Sequence, residues 1–382
     1  MTGAGPVGTP AAGHLDWASG GPLHPVARAA LAEAIDSTWA DPDRTYHRGR
    51  TARRLLDGSR EAVASVLGVR SDEVHFTAGG PTAVQQGLLG LAAAQQRVGR
   101  TVVVGAVEHS AVLHAAGWAG ERVEVGVDAQ GRVSAEAFAA AVAAPGVAVA
   151  ALQRGNQEVG TLQPVEPAAR ACAALGVPLL VDLGAAVGRV AVTGTGAGAL
   201  AVPATAWGGP PGVGVLAVRT GTRWRQPGPP RSDDEPAVPL VAAAAASLLA
   251  VEAERVTEAA RLRGLTDRLR TGLGVVPDCV VLGDPDPGGR LPQLLTVSLL
   301  YVDGEELLRG LDAAGLTASS GSACTAETLT PSHVLAAMGA LTEGNLRLSL
   351  GWGSDAADVD RLLAVLPPLV ARLREEAGVT GL

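Results

Sequence analysis

The stretch Val147–Gly184, VAVAALQRGNQEVGTLQPVEPAARACAALGVPLLVDLG, decides the fold. Its opening run, Val147–Leu152, is short and apolar on both faces, as a strand covered on both sides requires. After a polar loop, Glu166–Leu175 reads as a helix, and Pro178–Val181 as a second strand. The same alternation extends outward. Val74–Thr77, Thr101–Ala106, Val123–Val127 and Val213–Val218 read as strands, and Pro81–Gln96, His109–Trp118 and Ser134–Ala143 as the helices between them. Alternation at this spacing predicts a mostly parallel α/β sheet with helices on both faces. In such sheets the chemistry belongs to the loops beyond the carboxyl ends of the strands.

Further along, Gln226–Pro239 carries too much proline and charge for regular structure and reads as a long loop. A helix-rich piece from Leu240 to Leu273 follows, then strands at Cys279–Leu282 and Leu294–Ser298 and helices at Gly304–Ala314 and Asp355–Ala377. This predicts a flexible tail over 1–13, a large α/β domain over 14–255 and a smaller C-terminal α+β domain over 256–382.

Composition narrows the chemistry. The chain has 382 residues and a formal charge of −8, which argues against a nucleic-acid surface. All 30 basic residues are arginine. With no lysine there is no P-loop lysine, no Ser–Lys pair and no lysine Schiff base. Cys172, Cys279 and Cys324 lie far apart, with no CxxC and no metal-ligand spacing. A reduced, cytoplasmic protein is the natural reading. The longest apolar stretch, Val238–Val251, is interrupted by Pro239 and Ser247 and is too short for a comfortable membrane span. The cluster Arg44, Arg48, Arg50, Arg53, Arg54 and Arg60 reads as a solvated helix face or a dimer contact, against an acidic partner or RNA. Gly194–Ala199 nominally matches a dinucleotide fingerprint, but no helix is predicted after it.

Several loops then read together: HLDWASGGP (His14–Pro22), FTAGGPT (Phe76–Thr82), VEHSAV (Val107–Val112), NQEVGTLQP (Asn156–Pro164), VDLGAAVG (Val181–Gly188), GGPPGVGVL (Gly208–Leu216), SSGSACT (Ser319–Thr325) and NLRLSLG (Asn345–Gly351). In this order and spacing the chain resembles the cysteine desulfurases of the class V aminotransferase fold, from His14 to the C-terminal helix. The resemblance implies a fold type I architecture: a seven-stranded, mostly parallel sheet, a smaller C-terminal domain and a homodimer. It also implies pyridoxal 5′-phosphate held by a lysine, and sulfur drawn from cysteine onto a loop cysteine.

Matched residue by residue, Asp182 falls on the carboxylate that holds the pyridine nitrogen protonated and His109 on the stacking ring. Arg347 falls on the fork for a substrate carboxylate, and Cys324 on the sulfur-accepting thiol. Other positions depart. The lysine position is Trp207, in Ala204-Thr205-Ala206-Trp207, and the phosphate turn is Gly79-Gly80-Pro81. The expected glutamine is Ala185, the asparagine facing the ring hydroxyl is Gln157, and the segment reaching across the dimer is Pro236-Ala237. A phosphate dianion needs several charge-assisted hydrogen bonds. The expectation is therefore that pyridoxal phosphate is absent or weakly held, with the Trp207 indole buried against His109 or Asp182.

The functional expectation is a desulfurase-like protein that has lost pyridoxal-phosphate chemistry and moves sulfur as a persulfide on Cys324, between a donor and an acceptor protein. Two alternatives stand beside it: a scaffold or regulator of a genuine desulfurase, and an active desulfurase. Each site residue also has a plainer reading. Cys324 is then an inherited loop residue, and Arg347 a buried ion pair with Asp312 or Glu343 where it would otherwise anchor a small carboxylate. His109 is then a satisfied core histidine, and Asp182 a strand-end carboxylate with some other donor.

Overall fold

The computed structural model describes residues 11–228, 237–321 and 331–379. Helices α1 (Pro25–Ser37) and α2 (His47–Leu67) precede the first strand, β1 (Val74–Thr77). There follow α3 (Gly80–Ala94), β2 (Thr101–Gly105), α4 (Ser110–Ala119), β3 (Glu121–Val125), α5 (Ala135–Val142), β4 (Val147–Gln153), α6 (Val165–Leu175) and β5 (Leu179–Asp182). Strands β6 (Ala199–Pro203) and β7 (Gly214–Val218) complete one seven-stranded sheet of order β1-β7-β6-β5-β4-β2-β3. From β3 through β6 the neighbours are parallel, and β7 runs antiparallel to both β6 and β1. The fold is the class V aminotransferase architecture expected, a mostly parallel sheet with helices packed on it. Every residue of β4 is buried, which is why Val147–Leu152 shows no polar alternation.

Strand β6 went unread in the sequence because it follows the glycine-rich Gly194–Gly198. Both Gly194 and Gly196 have positive φ and turn the chain into a strand, where a dinucleotide fingerprint would need a helix. The arginine cluster lies on and before α2, paired locally: Arg44 with Asp41 at 2.7 Å, Arg60 with Asp57 at 3.0 Å, and Arg53 with Asp43.

The second sheet has the order β10-β9-β8, from β8 (Cys279–Val281), β9 (Leu294–Leu299) and β10 (Asn345–Ser349). It packs with α8 (Gly304–Ala313) and the C-terminal helix Ala356–Glu376. Helix α7 (Val238–Leu273) belongs to both cores. Val238, Val241, Ala244, Ala245 and Leu248 pack into the large core, and Leu262, Leu269 and Leu273 into the small one. The expected division after residue 255 falls inside this helix. The N-terminal segment also joins the small core: Leu15 is fully buried there, and Asp16 bridges to Ser349. Trp17 lies against Gly21, Gly351 and Gly353; a Cβ on Gly351 would stand 2.1 Å from the indole. Among the described residues no helix is long and apolar enough to cross a membrane.

Candidate functional site

The carboxyl edge of the large sheet carries two of the predicted residues, His109 and Asp182. His109 ends the turn after β2 and caps α4, its Nδ1 accepting the Ala111 N–H at 3.1 Å. Asp182 closes β5 directly beside Gln153 at the end of β4. Its Oδ1 accepts the Gly184 N–H at 2.8 Å. Burial raises the Asp182 pKa above the ordinary carboxylate value, and His109 nearby pulls it back down. His109 and Asp182 therefore lie near enough for the imidazole to act on the carboxylate.

Three buried carboxylate or amide groups that sequence reading passed over build the wall behind them. Glu108 is fully buried; its Oε1 accepts the Gln153 N–H at 2.9 Å. Asn156 donates to the Val107 carbonyl at 3.0 Å and accepts from Glu158 and Val159 N–H groups, both at 2.8 Å, which shapes the NQEVG turn. Glu158 accepts from the Ser332 hydroxyl at 2.5 Å. Burial raises the Glu158 pKa, opposed by the Ser332 hydrogen bond and by the charges of His333 and Arg347. All three lie inside motifs already quoted. The signal was a charged or amide residue in an otherwise apolar stretch, which only a buried hydrogen-bonded role explains.

Arg347, on β10, is 5% exposed. Its Nη2 donates to Asp16 Oδ1 at 2.8 Å and to Ser19 Oγ at 2.7 Å. Nη1 reaches the carbonyls of Gln157 at 3.3 Å and Gly321 at 3.4 Å, while the buried Nε has no partner. The ion pair expected with Asp312 or Glu343 is corrected here. Asp16 is the partner, because the N-terminal segment lies along β10 and brings its carboxylate to the strand. Gln157 offers Arg347 its backbone carbonyl.

Trp207 ends a 3₁₀ turn, Ala204–Trp207, and is 1% exposed. Its Nε1–H donates to the Ala244 carbonyl of α7 at 2.9 Å, and the indole belongs to the core that includes Val241 and Leu248. The burial agrees with expectation. The indole's one hydrogen bond among the described residues is to α7. Gly208 follows with φ 74°, and a Cβ there would lie 3.0 Å from His24 Cβ, so the turn needs glycine. Cys324 lies outside the described residues, as does Pro236.

Asp182 and His109 are placed as a carboxylate and an imidazole that could hold a protonated aromatic nitrogen and the face of its ring. The N-terminus of α3, Gly80, lies at the same sheet edge and favours an anion, although Pro81 withholds one N–H. A carboxylate, an imidazole and an anion-favouring helix end are chemically compatible with the ring and phosphate of pyridoxal phosphate.

The Aminotransferase class-V family model matches residues 15–228 and 235–362. An IscS-like cysteine desulfurase of Mycobacterium tuberculosis is 38% identical over 95% of this chain and 98% of its own length. A cysteine desulfurase of Cereibacter sphaeroides is 35% identical over 92% of this chain and 94% of its own. Among solved structures, a NIFS-like protein superposes with a TM-score of 0.87 at 23% identity, covering 95% of this chain and all of the other, a likeness of fold. DndA from Streptomyces lividans gives a TM-score of 0.73 at 27% identity, over 86% of this chain and 96% of the other.

These matches overturn the expectation that pyridoxal phosphate is absent. The chain's relatives are desulfurases of a family whose cofactor is pyridoxal phosphate, and the cofactor goes with the family. The expectation gave the missing phosphate partners and the missing lysine too much weight. Replacing the lysine by Trp207 removes a covalent link, but Asp182 and His109 keep their places. The chain belongs to the class-V aminotransferase family and, within it, to the cysteine desulfurase group.

Proposed function

We propose that this chain transfers sulfur through a persulfide on Cys324, with pyridoxal phosphate held non-covalently at Asp182 and His109. The observation that supports it is the anchoring of both ends of the segment containing Cys324. On one side, the Arg347 N–H donates to the Ser319 carbonyl at 2.7 Å, and the guanidinium reaches the Gly321 carbonyl. On the other, Ser332 is held by Glu158, and His333 Nε2–H donates to the Glu108 carbonyl at 2.9 Å. Residues 319–321 and 332–333, on either side of that segment in the sequence, are thereby held by Arg347, Glu158 and Glu108.

The transfer step needs no oxidant. The Cys324 thiolate attacks the outer sulfur of a donor persulfide. One S–S bond forms, the donor's S–S bond breaks, and the donor leaves as thiolate. Pyridoxal phosphate, when bound, supplies an electron sink whose ring nitrogen Asp182 keeps protonated. The chain has no ε-amine of its own to move protons there, so relay is favoured over extraction of sulfur from cysteine. In this reading the protein works as a homodimer and passes sulfur to an acceptor protein. Exposed Ile35, Trp39, Tyr46, Leu249 and Val256 support the dimer, all on or beside α1, α2 and α7, which pack together.

The test treats the purified chain with a small alkyl persulfide and looks for one added sulfur on Cys324 by mass spectrometry. The adduct is expected in the parent and absent in Cys324→Ser. No adduct would leave the scaffold reading, and sulfide turnover from cysteine with added pyridoxal phosphate would establish an active desulfurase instead. A second measurement reads the cofactor. Bound pyridoxal phosphate is expected to leave on gel filtration even after borohydride, because no lysine is present to be fixed.

A further inference from the structure

Glu108 is the one carboxylate of the site wall without an assigned task. It is fully buried, one oxygen accepts the Gln153 N–H, and the other has no hydrogen-bond partner. No arginine or histidine bonds its carboxyl among the described residues. The charged groups of the surrounding elements are Asp182 at the end of β5, His109 beside it on the same turn, and His333 on its backbone carbonyl. Beyond His333 lie Glu158 and Arg347. The charge that acts on Glu108 is that of Asp182, and it is of like sign. An ionised carboxylate in this position would carry an uncompensated buried charge next to another anion, a cost of several kcal/mol.

We propose that Glu108 is a positioning residue that works as a neutral carboxylic acid. Its proton stays on, so that Asp182 alone supplies negative charge to the site. Its Oε1 and backbone carbonyl tie three pieces together: the turn before His109, the end of β4, and His333. A neutral acid can do this without adding a second negative charge beside Asp182. The inference stands on the described residues alone and does not depend on the sulfur-relay reading.

Burial pushes the Glu108 pKa up to about 8, with the Gln153 N–H opposing and Asp182 adding to the rise. Unfolded, the group loses its proton near the ordinary glutamate value, while the folded state keeps it until about 8. The contribution to stability is therefore whole below the unfolded pKa and declines as pH rises toward 8. Across that window the folded-to-unfolded ratio falls by up to about tenfold per pH unit on this account.

The experiment is chemical denaturation of the full chain at pH 5 to 9, comparing the parent with Glu108→Gln and Glu108→Ala. Glu108→Gln is expected to match the parent at pH 5 and to exceed it progressively up to pH 8. Glu108→Ala should be less stable than the parent at pH 5, by a margin that narrows as pH rises, because it too lacks the titrating group. If Glu108→Gln is instead weakest relative to the parent at high pH, Glu108 is ionised and paired, and the proposal fails. Should the variants not fold, infrared spectra of the parent decide the matter. A buried carboxylic-acid C=O band should be present at neutral pH, persist in Asp182→Asn and bleach as pH passes about 8. Absence of that band would overturn the proposal.

Discussion

Removing the Asp16 carboxylate should expose how strongly the N-terminal segment is bound through Arg347. The two side chains are 15% and 6% exposed and meet at 2.8 Å. Breaking a buried pair from one side leaves the other charge uncompensated, a cost of about 3–5 kcal/mol. Arg347 keeps Ser19 and two backbone carbonyls, so Asp16→Ala belongs at the lower end, about 3 kcal/mol. Asp16→Asn retains an acceptor and loses the charge, which lowers the cost to about 1.5 kcal/mol. Arg347→Met leaves an aspartate near enough to solvent to rehydrate, so it should be milder than Asp16→Ala. The double variant Asp16→Ala/Arg347→Met replaces the pair by apolar groups and should be less destabilised than the sum of its parts by about 1–2 kcal/mol. Urea unfolding followed by tryptophan fluorescence measures all four proteins, with a common slope as the check that one transition is being compared. A coupling energy indistinguishable from zero, or an Asp16→Ala cost below 1 kcal/mol, would refute the reasoning.

Trp207→Ala should destabilise by about 3–5 kcal/mol, because a fully enclosed indole leaves a cavity. Trp207→Phe isolates the hydrogen bond to Ala244 and should cost about 1 kcal/mol beyond any repacking, read from the same denaturation curves. Burial pushes the Cys172 and Cys279 thiols up to about 12 and about 11. At pH 8 both should therefore resist alkylation in the native protein and react in urea, with peptide mapping as the readout.

Legibility in the sequence followed burial. Strand β4 announced itself because a strand covered on both faces must be apolar throughout, as Val147–Leu152 is, whereas the equally buried β6 was masked by the glycines before it. Strand β10 hid within NLRLSLG because its central arginine breaks the apolar pattern. That arginine is nonetheless buried, and its charge is answered by Asp16, some 331 residues away in sequence. No local periodicity carries such a partner. His109 and Asp182 were legible because the motif fixes their place at strand ends. The direction of Trp207 was not. Its N–H found a helix carbonyl, Ala244, that only the packing of α7 brings near. The pyridoxal-phosphate expectation erred by counting lost side chains while the backbone frame of the site survived.

The pairing of Asp16 and Leu15 with residues near the other end of the chain also orders events in time. During synthesis Leu15 and Asp16 emerge well before the residues they need, since Arg347, Leu348 and Ser349 follow some 331 residues later. Closing contacts of such separation is slow, and a large loop must be gathered before they form. The large sheet can therefore assemble while Leu15 and Trp17 are still unplaced, and the second core completes only when the segment around Leu15 and strand β10 are both available. A chain stopped before β10 would leave those apolar residues exposed, so the interval before β10 is made is the one in which they most need protection from aggregation.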